Sequence, residues 1–131
     1  MTKKLLVLTL GIVLFSLNLK AQGSFEKWPA LKNFHTVISQ TFHPAEEGNL
    51  SPVKKRSGEL LQKAVLLHQS DIPVGFSRPG IIPAVHKLYL ASAALDKLVK
   101  RKVEDKLILA GLKQVHDCFH TIVGICSDKK D

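Results

Sequence analysis

The chain has 131 residues, 45% of them hydrophobic, and 19 Lys and Arg against 11 Asp and Glu give it a formal charge of +8. That length encloses one hydrophobic core and leaves no room for a second domain. Lys54-Lys55-Arg56 and Lys100-Arg101-Lys102 are tight basic clusters, but a chain with 6% aromatic residues lacks the basic stripe with interleaved aromatics that nucleic-acid binding needs.

The first residues, Met1-Thr2-Lys3-Lys4, precede an apolar run from Leu5 to Leu19 that stops at Lys20. A membrane-spanning helix needs about 20 apolar residues, so this shorter run behind a charged start reads as a cleaved export signal. Cleavage is expected after Ala21, although Leu19 stands where a small residue is preferred. No cysteine follows the run, so a lipid anchor is not expected. Residues 1–21 are therefore read as the signal and residues 22–131 as the mature domain, periplasmic or secreted, with no membrane span after cleavage. Loss of Lys3, Lys4 and Lys20 lowers the formal charge from +8 to +5, an ordinary solvated surface.

The mature part divides at its breakers into four segments of helical period. The first starts near Ser24, with Pro29 in its early turns, and runs to Phe42. Trp28, Leu31, His35, Ile38 and Phe42 share one face, and His43-Pro44 is expected to end the helix. A loop over residues 45–49 follows. The second opens at Ser51-Pro52, a capping residue before a first-turn proline, and continues to Gln69 with Val53, Ser57, Leu60, Leu61, Ala64, Leu67 and His68 inward.

Residues 70–83 hold three prolines and two glycines and make the longest loop. The third segment, about 83–101, turns Val85, Leu88, Ser92, Leu95 and Val99 inward. The fourth, about 103–125, does so with Ile108, Leu112, Val115, Phe119 and Ile122. Four amphipathic helices of similar length predict an all-α, antiparallel up-down four-helix bundle.

Cys118 and Cys126 are eight residues apart on the predicted fourth helix. At about 1.5 Å rise per residue they stand too far apart for a disulfide unless the helix ends before Cys126. They are otherwise packed thiols, ligands or an intermolecular link.

The six histidines carry the functional signal. His35 lies in the apolar stripe of the first helix, and His116 and His120 are spaced i,i+4, on one side of the fourth. If Phe42 lies beside Ile108 in the antiparallel pair, His35 comes level with Val115 and His116. His35, His116 and His120 are therefore the candidate metal ligands. His68, His43, Cys118 and Cys126 are outer candidates, His43 standing near Glu46 and Glu47 at the other end.

Weighed against this is the commoner fate of a core histidine, a hydrogen bond to a neighbour. His86 is expected on the surface. Imidazole nitrogens, with a possible thiolate, suit zinc or copper, and a non-covalent haem is a second candidate. No serine-histidine-carboxylate set, glycine-rich phosphate loop or paired core carboxylates is present, so no catalytic residue is assigned and an enzyme is not expected.

Four helices behind a signal, with Cys118-Phe119-His120 and Ile125-Cys126-Ser127 late in the last helix, resemble the cytochrome c-prime and cytochrome b562 group of periplasmic bundles. The Cys-x-x-Cys-His motif of the c-type members is missing, so covalent haem attachment is excluded. The stretches 42–50 and 116–120 are also similar to a group of exported bacterial bundle proteins without an established activity. The resemblance implies architecture and transfers no catalytic residue. The expected function is metal or haem binding for metal handling or electron transfer, with a metal ion or small ligand as partner. The alternative is a bundle with a structural or protein-interaction role, offering Lys54 to Arg56 or the loop over residues 70–83.

Overall fold

The computed structural model describes residues 27–127. The expected signal, its cleavage point at Ala21 and the expected cap at Ser24 lie outside them. The described part is α1 (Pro29–Glu46), α2 (Ser51–Gln69), a 3-10 turn (Val74–Phe76), α3 (Ile81–Lys100) and α4 (Asp105–Ser127), with no strand. Each helix packs on its neighbours in chain order, and α1 meets α4 to close the ring. This is the expected four-helix bundle. Among the described residues no helix is long and apolar enough to cross a membrane.

Amphipathic periodicity builds the core, because each helix offers one apolar stripe and only the bundle interior removes all four from water. Trp28 at the start of α1 is buried, as are Leu31, Ile38 and Phe42 from α1, Leu60 and Leu67 from α2, Leu88 and Leu95 from α3, and Leu112, Phe119 and Ile122 from α4. The α2 start falls at Ser51, with Pro52 in the first turn and Asn49 Oδ1 accepting from the Ser51 amide at 3.1 Å. The long connection is 3-10 at its centre, and Phe76 covers the buried Trp28 with ring centroids 5.5 Å apart.

The end of α1 departs from the sequence expectation. Pro44 does not stop the helix, which runs on to Glu46 with Ala45 buried. Termination falls instead to Gly48, whose φ of 89° is the left-handed conformation glycine adopts at least cost. The Gly48 amide bonds the Ala45 carbonyl at 3.0 Å and the Asn49 amide bonds the Pro44 carbonyl at 2.9 Å. These two bonds satisfy the last carbonyls of the helix as a Schellman closure does. A proline this near the end gives up only one intrahelical bond, so the closure outweighs it.

Of the buried polar side chains, Thr41, Ser57, Ser92 and Asp96 find partners, while the buried Trp28 Nε1 has no hydrogen-bond partner. Thr41 and Ser92 hydroxyls donate back to the Val37 and Leu88 carbonyls at 2.9 and 2.8 Å. Asp96, 4% exposed, accepts from Ser57 Oγ at 2.9 Å across the α2–α3 seam and pairs with Lys100 Nζ at 2.7 Å. The sequence reading missed this carboxylate. Its position four residues after the inward Ser92 and four before Lys100 was the available signal.

Candidate functional site

α1 runs about one turn further than expected, and its contacts with α4 also differ from the expected register. Aligning Phe42 with Ile108 assumed that α1 ends at Phe42. With the helix continuing to Glu46, Phe42 lies against His116 instead, and His35 against Phe119. Along α4, the His35 contact is thus shifted by about one turn from the expected register and the Phe42 contact by about two. The Phe42 and His116 rings stack with centroids 3.7 Å apart and 9° between planes, and the His35 and Phe119 rings stack at 5.2 Å and 18°. α1 and α4 make the sparsest of the four helix pairings, and these large rings fill the space between them.

His35 is therefore half-buried at the edge of the apolar stripe rather than within it, and His116 is half-buried opposite. His120, exposed one turn beyond His116, brings its Nε2 to 3.2 Å from the Nε2 of His116. The i,i+4 spacing thus converges two imidazoles on one point. His35 lies close enough to feel the charge of both His120 and His43.

Burial first, then the proximity of His43 and His120, pulls the His35 imidazole below its usual 6.5. Burial and then His120 do the same to His116, with His43 adding and Asp117 and Glu46 opposing. Both rings are accordingly neutral at pH 7, the form in which a ring nitrogen offers its lone pair to a metal ion.

The outer candidates fall elsewhere. His43 is exposed at the α1 end and meets Glu46 Oε2 through Nδ1 at 3.4 Å. His68 is exposed, not inward, because Leu67 takes the buried position and one residue on a helix turns about 100°. His68 belongs to the α2–α3 seam, across the bundle from His120, where it meets His86. That correction follows from ring order: α2 and α4 are diagonal and share no principal contact.

Cys118 lines an open groove of about 990 Å³ between α3 and α4, with Ala91, Ala94, Ala110 and Gly111. Cys126 is half-buried further along α4, and both thiols are free. The helix is continuous through Ser127, so the two stay on separate turns. Burial pushes both thiols above their usual 9.0, which disfavours the thiolate a metal would require.

No family model, curated protein or solved structure matches the chain. The chemistry of the site therefore rests on its own side chains. Among the described residues no three His, Cys, Asp or Glu side chains stand together as a ready metal cage. What stands together is a pair, His116 with His120, and a third imidazole, His35, nearby on the facing helix. In tetrahedral coordination, zinc bonds of about 2.0–2.1 Å to two imidazoles set their nitrogens about 3.3 Å apart. The pair is at 3.2 Å. The same distance suits a hydrogen bond in which one neutral ring donates Nε2–H to the other.

Proposed function

We propose that this chain is an exported four-helix bundle that binds a transition-metal ion, zinc or copper, at the α1–α4 seam. His116 and His120 are the chelating pair, and His35 is the third ligand, reached by a rotation of its ring away from Phe119. The observation that carries the reading is the 3.2 Å separation of the two Nε2 atoms. It matches the spacing two imidazoles adopt on one tetrahedral ion. Export is read from Lys3-Lys4 and the apolar run behind them, and it would deliver the site to a compartment where such ions are handled.

An ion is favoured over haem. The imidazoles face one another and two phenyl rings, whereas the groove between α3 and α4 has no histidine in its lining. Histidine's role as an intermediate-softness ligand favours zinc, copper or nickel over calcium or magnesium. Bound midway along α4, the ion would be exchangeable through the exposed His120, as suits storage or delivery.

The test is titration of the full chain with Zn²⁺ and Cu²⁺ by calorimetry, with Cu²⁺ broadening of amide NMR signals locating the ion. The expected result is broadening centred on residues 116–120. His116→Ala or His120→Ala is expected to weaken that site at least about tenfold, since disturbing even an outer partner of a ligand costs that much. His35→Ala is expected to weaken it less. Absence of broadening at α4, or unchanged affinity there in His116→Ala with His120→Ala, overturns the reading.

One observation favours a second reading. The tight stacking of His116 on Phe42 suits an imidazole that fills the seam, with the pair satisfied by its own hydrogen bond. In that case replacing these histidines alters stability and its pH dependence alone. Lys54 and Arg56, offered by the sequence as a contact surface, are engaged with Asp105 at 2.6 Å and Glu59 at 2.7 Å, so the interaction surface would lie elsewhere.

A further inference from the structure

On the opposite side of the bundle, His68 near the end of α2 and His86 in the second turn of α3 bring their rings together across the helix seam. The His68 Nε2 stands 3.2 Å from the His86 Nδ1. Both side chains are exposed, so an ion reaches them without opening the core. His68 is further held by stacking on Tyr89, with centroids 5.0 Å apart and planes at 17°. The ring is thus fixed from one side while its Nε2 faces His86.

We propose that His68 and His86 form a second, independent site for a divalent transition ion, zinc, copper or nickel, that bridges α2 to α3. The nitrogen spacing again fits the roughly 3.3 Å edge of a tetrahedral ion held by imidazoles at about 2.0–2.1 Å. Water completes the remaining positions, as the exposure of both rings permits.

In the metal-free pair one neutral ring donates its N–H to the other. Binding requires both facing nitrogens to present lone pairs, so the donor ring moves its proton to its other nitrogen. Between neutral rings this is a tautomer change that releases no proton.

The two pairs differ in what they tie together. His116 and His120 belong to one helix, so an ion there secures a turn of α4. His68 and His86 belong to different helices joined by the longest connection in the described chain. An ion on them binds only when α2 and α3 are docked, so it stabilises the folded bundle by mass action.

Zn²⁺ and Cu²⁺ titration of the full chain, read by calorimetry and by thermal unfolding with and without a chelator, tests the site apart from the α4 pair. In a His116→Ala, His120→Ala background, one equivalent is expected to remain, with Cu²⁺ broadening at the amides around His68 and His86. Zn²⁺ at tenfold its dissociation constant is expected to raise Tm by about 5 °C or more. Adding His68→Ala or His86→Ala is expected to abolish both the equivalent and the Tm shift. His86→Gln serves as a second variant that keeps a polar side chain should alanine disturb the seam. The proposal is overturned if that background binds no ion, or if binding and Tm shift persist without His68 and His86. Either result leaves the α4 pair to be judged by its own broadening.

Discussion

His35 and His116 are the residues through which solution pH reaches the fold. Both have folded-state proton affinities below the usual 6.5, so in mild acid the unfolded chain binds protons more readily than the folded one. Stability then rises with pH through that window and levels off above it. Melts between pH 8 and pH 5 are expected to show a constant Tm above about pH 7 and a falling Tm below about pH 6.5. The protonated rings would face His120 and His43, with Glu46 and Asp117 as partial compensation. His35→Gln together with His116→Gln is expected to flatten the acid limb; an unchanged limb would assign it to other groups.

Helix ends give the sharpest expectations at the level of elements. The α3 terminus repeats the closure of α1: the Lys102 amide bonds the Val99 carbonyl at 3.0 Å and the Val103 amide bonds the Leu98 carbonyl at 3.4 Å. Here, however, the left-handed residue is Lys102, at φ 54°. A side chain costs about 1–2 kcal/mol in that conformation, which glycine avoids at a smaller entropic cost. Lys102→Gly is therefore expected to stabilise the protein by about 0.5–1 kcal/mol, and Gly48→Ala to destabilise it by about 1 kcal/mol. Urea midpoints at constant m-value measure both, and opposite signs are the expected outcome.

The described residues share one core, so they are expected to unfold as one unit. Trp28, the chain's single tryptophan, is 1% exposed beneath Phe76 and reports on the docking of α1 and the long connection. Its fluorescence and the far-ultraviolet circular dichroism of all four helices are expected to share one denaturant midpoint. Leu112→Ala, at a fully buried position of α4, is expected to cost about 2–5 kcal/mol and to shift both signals together. Separate midpoints would show that the α1–α4 seam, the most sparsely packed, opens first.

The architecture was legible in the sequence because each helix must bury one stripe, and a stripe of Leu, Ile, Val and Phe at three- and four-residue steps is a property of sequence alone. The i,i+4 meeting of His116 and His120 was legible for the same reason: both residues are on one helix, whose geometry is fixed. Contacts between helices were not, because they depend on where each helix ends. Gly48, rather than Pro44, ends α1 about one turn later than expected, and Phe42 meets His116, eight residues along α4 from the expected Ile108. Ring order likewise sends His68 to His86 instead of His120, and joins Ser57 to Asp96. Local periodicity determined the apolar residues that face inward, but not His35, which stands at the stripe's edge, or His68, which is exposed; the register and neighbour relations of packed helices, which no local pattern encodes, decided which residues meet.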